Sequence, residues 1–195
     1  MEKIIERVKS ILLSPKDALT AVKSEEMSIA DFMKEYVAIL AAIPAVAQFI
    51  GLALVGHSVF GRRSFIGTLF YAALFYIFSL VSIFVYSKVI DALAPSFNAT
   101  KHDLSAFKLT VYAWTPAFVA GIFHIIPGLQ VLAMLGGLYG IYILYLGLPI
   151  LMESPEDKTV AYTIVSLIVA LILMVVIGSI ATVIALGSAV PAIYF

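Results

Sequence analysis

Residues 109–152 read LTVYAWTPAFVAGIFHIIPGLQVLAMLGGLYGIYILYLGLPILM, forty-four positions without one Asp, Glu, Lys or Arg. As one helix this stretch would be about 66 Å long, against a hydrocarbon core of about 30 Å. It therefore has to fold back on itself. Pro127-Gly128, near its middle, supplies the chemistry of a tight turn. The stretch reads as two membrane-spanning helices, about 109–127 and 128–152.

Three more charge-free runs lie outside it, at 36–56, 64–87 and 159–195. Each of the first two is one span, and the last gives a span over about 160–187 with an apolar tail. In lipid every backbone polar group must be satisfied within the protein, so these segments are predicted as helices and not as strands. The fold class is all-α, a polytopic membrane protein of five transmembrane helices. Residues 1–35 form an amphipathic N-terminal segment and 36–195 the membrane domain.

Composition agrees. The chain is 63% hydrophobic and 12% charged, whereas soluble domains run near 45–50% and about 25%. Twelve basic residues balance twelve acidic ones, so no global field attracts nucleic acid. There is no cysteine, which excludes disulfides, thiolate metal sites and cysteine nucleophiles. The first apolar run begins too late for an ordinary signal peptide, and neither terminus carries a lipidation signal.

Lys3, Arg7, Lys9, Lys16, Lys23, Lys34, Lys88, Lys101, Lys108 and Lys158 fall on one side of this topology, with only Arg62 and Arg63 on the other. The positive-inside rule then puts the N-terminus in the cytoplasm and the C-terminus outside. Tyr36, Tyr86, Trp114 and Tyr162 are expected as interface anchors on the inner side, Tyr194 and Phe195 on the outer. Asn98-Ala-Thr100 faces the cytoplasm here, so its match to a glycosylation acceptor reads as chance.

In the N-terminal segment, Ile4, Ile5, Val8, Ile11 and Leu12 recur at helical spacing between charged residues. Ser14-Pro15 then marks a second helix start, serine at the N-cap and proline behind it. Ala18, Leu19 and Val22 continue the apolar face. The expectation is short amphipathic helices lying on the membrane as an anchor, with a docking surface in the mixed charges of residues 16–35 as the alternative.

No carboxylate, lysine or arginine lies inside any expected span, which weighs against ion-coupled transport. His124 belongs at the outer interface, and His57 and His102 in loops. No metal set, phosphate loop or nucleophile elbow is present, so neither enzyme activity nor a cofactor is expected. Glu153, Glu156 and Asp157 form an acidic loop. Gln48, beside Pro44, is an amide that calls for a partner on another helix.

Pro44, Pro116 and Pro149 interrupt the first, third and fourth helices. Each lacks an amide hydrogen and frees the carbonyl four residues earlier. Tyr-x-x-x-Pro occurs twice, at Tyr112–Pro116 and Tyr145–Pro149. All three prolines fall in the cytoplasmic half. Kinks at similar depth would splay the helices into a cytoplasm-facing groove with Tyr112, Thr115 and Tyr145 as polar lining and Gln48 nearby; shaping of helix packing alone is the other reading. Gly136-x-x-x-Gly140 is a close-approach motif, as are the Ala38/Ala42, Ala41/Ala45, Ala47/Gly51 and Ala181/Ala185 pairs. Such faces serve packing within the chain, with a homodimer left open.

At Ser14-Pro15, Ala41-Ala-Ile-Pro44, Tyr112-Ala-Trp-Thr-Pro116 and Gly137-Leu-Tyr-Gly-Ile-Tyr-Ile-Leu-Tyr-Leu-Gly-Leu-Pro149 the chain resembles the Yip family, the Ypt/Rab-interacting membrane proteins, and within it the bacterial branch of small inner-membrane proteins. The resemblance covers roughly residues 10–188. It implies five helices, a cytoplasmic N-terminus and a short outer C-terminus, the topology the charge count gives independently. Eukaryotic members resemble trafficking scaffolds that bind Rab GTPases and shape membranes. Their cytoplasmic Asp-Leu-Tyr-Gly-Pro motif is absent here, so Rab binding does not carry over and no site residues transfer. The expected function is a non-enzymatic scaffold or membrane organiser acting on lipids and on a protein partner at its cytoplasmic face. The alternative is a small-solute channel or transporter gated at the proline-kinked helices.

Overall fold

A computed structural model describes residues 2–55 and 65–187. His57, Arg62, Arg63, Tyr194 and Phe195 lie outside the described residues, as do the side chains of Ala181 and Ala185. Two short helices, α1 (Glu2–Leu13) and α2 (Pro15–Lys23), turn at Ser14, which holds the N-cap position without a side-chain cap bond. A short α3 (Ile29–Phe32), a π-helical turn (Met33–Val37) and α4 (Ala38–Ile50) then run on as the first span, Ile29–Ala53. The other four spans are built on α5 (Phe65–Leu93), α6 (Asp103–Ala120), α7 (Gln130–Leu151) and α8 (Glu156–Gly187). Each of the five is long and apolar enough to cross a membrane.

The helices overrun the charge-free stretches. The helix that carries the first span begins at Ile29, ahead of the charge-free run at 36, and Ser28 accepts a hydrogen bond from the Asp31 amide as its N-cap. α5 passes residue 87 and ends at Leu93, and α6 starts at Asp103 behind the His102 cap rather than at 109. Hydropathy marks only the part of a helix that meets hydrocarbon; caps and acidic first-turn residues set its true end. As a result Asp91 and Lys108, expected outside the spans, lie on spanning helices and are buried. The turn between α6 and α7 is also longer than a tight Pro-Gly hairpin, because 3-10 turns at Gly121–Ile125 and Pro127–Leu129 separate the helices.

α6 is the central helix: 67% of its most apolar window is buried, against 17% in α5 and in α8. It packs on α4, α5 and α7 and also meets α1 and α2, while α8 closes the bundle against α5 and α7. The α6–α7 seam is the closest. A Cβ on Gly136 would lie 2.5 Å from the Pro116 carbonyl oxygen, and one on Gly140 would strike the Ala113 carbonyl. Across the bundle, Gly121 gives the same room to the Pro44 ring. Missing side chains thus admit the proline-bearing segments to van der Waals contact, which drives association in lipid. Buried Thr110, Thr115 and Thr163 return their hydroxyls to the carbonyl four residues back, leaving no unpaired hydroxyl there.

The outer faces of α5, α7 and α8 carry Phe65, Ile66, Leu69, Val131, Met134, Leu138, Leu171 and Met174, all exposed. In water such a surface would aggregate; in a bilayer it is the lipid contact. The tyrosines expected as interface anchors sit elsewhere. Tyr36, Tyr86 and Tyr162 are buried in the core, with the Tyr162 hydroxyl donating to the Ile90 carbonyl. Where helices end beside one another, an aromatic residue packs inward as readily as outward.

Candidate functional site

α1 and α2 do not lie free on a membrane surface. Their apolar faces, Ile11, Ala18, Leu19 and Val22, are buried against the bundle. Leu19 packs where Gly147 of α7 leaves room, beside Leu109 of α6. Two polar contacts fix the docking. The Tyr139 hydroxyl of α7 donates to the Leu12 carbonyl at 2.9 Å. The Lys108 ammonium of α6 donates to the Val22 carbonyl at 2.8 Å and to that of Glu25. It caps the open C-terminal end of α2 with a positive charge, where the helix dipole favours one.

Under this hairpin lies an aromatic layer. Phe32 and Tyr36, brought round by the π-turn, meet Tyr112 of α6 with ring centroids 5.9 and 5.8 Å apart. Phe107 closes the layer against Phe32 at 6.3 Å. Tyr36 shares a 3.1 Å hydrogen bond with Thr115, whose hydroxyl also reaches back to the Val111 carbonyl. From α1, the Arg7 guanidinium covers Phe32 and Tyr36 at 5.2 and 5.8 Å from their centroids, a cation–π arrangement, and forms an ion pair with Glu25 at 2.5 Å. The Tyr112 hydroxyl is buried beside the Arg7 guanidinium and finds no acceptor for its proton among the described residues.

Between α1 and α2 the same residues border a cleft of about 410 Å³, whose wall includes Glu6, Arg7, Ser10, Ala21, Ser24, Glu25 and Tyr112. At the end of α2, Lys23 hydrogen-bonds one oxygen of Glu153 and Thr100 the other, both at 2.8 Å. These bonds, Lys23's first, hold the Glu153 carboxyl below the usual glutamate range. Glu153 has φ 55, so this acidic loop residue is held in a tight turn rather than simply solvated. The Asn98-Ala-Thr100 stretch is also structural. Asn98 is left-handed at φ 56, and the Thr100 amide donates to the Met152 carbonyl at 2.7 Å.

The sequence-derived groove is divided by this geometry. Tyr112, Thr115 and Pro116 come together in the buried layer. Pro44 is buried farther along, against Gly121, and Pro149 is half-buried on α7. Gln48 is half-buried, and its Oε1 has no partner among the described residues, so the expected amide bridge is not made through that oxygen. Tyr145 leaves the group: it is 42% exposed on the outer face of α7. Instead of an open groove, the region around Tyr112 and Thr115 is filled by Phe32 and Tyr36 and roofed by α1 and α2. Gly136 and Gly140 face α6 within the chain. The residues missed from sequence are Phe32, Arg7 and Lys108; the Ser28-x-x-Asp31 capping pattern is the signal that would have placed Phe32 on a helix.

The Yip1 domain model matches residues 9–178. The chain is similar to the inner membrane protein YohC of Escherichia coli, in strains K12 and CFT073 (O6:H1). It is 24% identical to each over 168 residues, covering 82% of this chain and 86% of the relative. No solved structure matches it.

Proposed function

We propose that this chain, which belongs to the Yip1 domain family, is a non-enzymatic organiser of the inner membrane that acts through the α1–α2 hairpin on its cytoplasmic face. The relatives are named as inner membrane proteins, and the basic excess at the hairpin end favours a cytoplasmic orientation. One observation carries the reading: Leu13, at the tip of the hairpin, is 81% exposed while its neighbour Leu12 is bonded to Tyr139, well inside α7. An exposed leucine at that depth belongs in acyl chains. The hairpin is then a wedge in one leaflet, held by α6 and α7. Amphipathic elements at such a depth, about 5–10 Å into the headgroup boundary, respond to lipid packing and curvature. The outer side of the hairpin, with Lys9, Lys16 and Asp17 exposed, is the surface offered to a protein partner. The filled layer at Tyr36, Tyr112 and Thr115 favours this reading over a solute channel gated at the prolines.

The absence of cysteine allows a clean test. A fluorophore on Leu13→Cys in vesicles is expected to be quenched by nitroxides on the acyl chains, and one on Lys9→Cys by a water-soluble quencher. The protein is expected to concentrate on vesicles of high curvature, with Leu13→Asp removing that preference. A water-accessible Leu13 label, or equal recruitment to flat and curved bilayers, refutes the proposal.

A further inference from the structure

The cleft between α1 and α2 holds charges of both signs and one unused donor. Arg7 presents five N–H groups, of which the Glu25 pair accounts for one bond. Glu6 has no ion-pair partner among the described residues, and Ser10 and Ser24 complete a hydroxyl-bearing rim. Tyr112, only 1% exposed, forms part of the wall, and its hydroxyl proton has no acceptor among the described residues. A buried donor left without a partner is destabilising, and a ligand acceptor beside Arg7 would remove that cost. The volume lies within the range of about 300–1,000 Å³ found for small-molecule sites.

A simple anion suits this wall poorly, because Glu6 and Glu25 oppose it. A simple cation is opposed by Arg7. A ligand that carries both charges a few ångströms apart meets each with its opposite. We propose that the cleft is a binding site for a phosphoethanolamine headgroup, its phosphate on the Arg7 guanidinium and the Tyr112 hydroxyl, its ammonium on Glu6 and Glu25. Arg provides the planar fork that suits phosphate oxygens. A primary ammonium has three N–H donors for carboxylates, which a quaternary ammonium lacks. The source is the lipid. The inference rests on the reading that α1–α2 lies in the leaflet, since Leu13 then carries the cleft down to headgroup level, where a phospholipid enters laterally. Bound there, the headgroup would bridge α1 to α6 and stiffen the wedge.

The test uses the full chain in detergent micelles doped in turn with dioleoyl phosphatidylethanolamine, phosphatidylcholine or phosphatidylglycerol, with lipid retention read by native mass spectrometry. Phosphatidylethanolamine is expected to be retained most strongly. Tyr112→Phe, which deletes only the hydroxyl, is expected to weaken it about tenfold, as for a hydrogen bond to a charged group. Glu6→Gln, on an exposed position that does not threaten the fold, is expected to weaken it about threefold and to leave phosphatidylglycerol unchanged. Ala21→Phe, which fills the cleft, should abolish selective retention. Equal retention of the three lipids, or full retention in Ala21→Phe, overturns the inference. Displacement by free phosphoethanolamine at the lipid's own concentration overturns the lipid as source. If Leu13 reports acyl-chain depth but no headgroup preference exists, this inference fails and the proposed function stands.

Discussion

Replacing Gly136 by alanine tests whether the α6–α7 seam is as close as the geometry requires. The new Cβ would lie 2.5 Å from the Pro116 carbonyl oxygen and 2.6 Å from the Ala120 Cβ, where ordinary contact begins near 3.4 Å. The deficit is about 1 Å, and one obstacle is backbone, which cannot rotate aside. Overpacking of this kind costs about 1–3 kcal/mol. Against it stands the better helix propensity of alanine, up to about 1 kcal/mol. Because one obstacle is backbone, the overpacking cost falls at its upper end, about 3 kcal/mol, which leaves a net loss of about 2 kcal/mol. For a chain of this length each kcal/mol moves the melting temperature by about 2–4 °C, so a fall of about 4–8 °C is expected. Gly137 is the control, because a Cβ there meets nothing within 4 Å. Gly137→Ala therefore keeps only the propensity term and should melt at or slightly above the parent. Trp114, the one tryptophan, sits on α6 and reports the separation of the two helices by fluorescence during a thermal scan in detergent. If the two substitutions move the midpoint in the same direction, or if Gly136→Ala leaves it unchanged, the seam is not load-limited at Pro116 and the reasoning is refuted.

Tyr36→Phe and Thr115→Val each remove one side of the buried 3.1 Å hydrogen bond and should cost about 1 kcal/mol apiece. A double-mutant cycle should give a coupling of at least about 0.5 kcal/mol, and additive losses would exclude the bond. Lys108→Met keeps the side-chain stem but leaves the Val22 and Glu25 carbonyls without their cation. Amide exchange across α2 should accelerate about tenfold while α5 and α8 stay unchanged, and uniform exchange would show that the ammonium does not hold the hairpin. Glu153 is depressed by its bonds to Lys23 and Thr100, so its contribution is complete above the unfolded glutamate value, near pH 4.3, and is lost as the pH falls through the lower folded value. A spin-label distance between α2 and the loop after α7 should widen only in acid, and Lys23→Ala should bring the wider distance to neutral pH.

The number of helices was legible because hydrocarbon imposes it. Forty-four charge-free residues admit no other solution than two spans and a turn. Their ends were not legible, since a charge-free run stops where lipid stops, whereas α6 continues back to Asp103 and buries Lys108 on the way. The two Tyr-x-x-x-Pro motifs show a second limit. Tyr112 and Tyr145 have the same local sequence, yet one is enclosed and the other faces outward. Both helices are apolar on every side, so periodicity gives no direction for the buried face. Only the position of α6 at the centre and of α7 at the edge decides it, and that is a property of the whole bundle.

The hairpin was half legible for a related reason. Its apolar stripe was visible, but a stripe that could lie on lipid can equally dock on protein. What distinguishes the two is the fate of the basic residues. Arg7, Lys23, Lys88 and Lys108 are all engaged, by Glu25, by Glu153, by Asp103 and by the Val22 and Glu25 carbonyls. A surface-bound amphipathic helix keeps its cations free for anionic headgroups, whereas this end of the protein turns several of its cations inward to fasten the hairpin. The charge that orients such a chain during insertion and the charge that ties its parts together are thus partly the same residues. A substitution at Lys108 or Arg7 would therefore act on docking even where the topology is preserved.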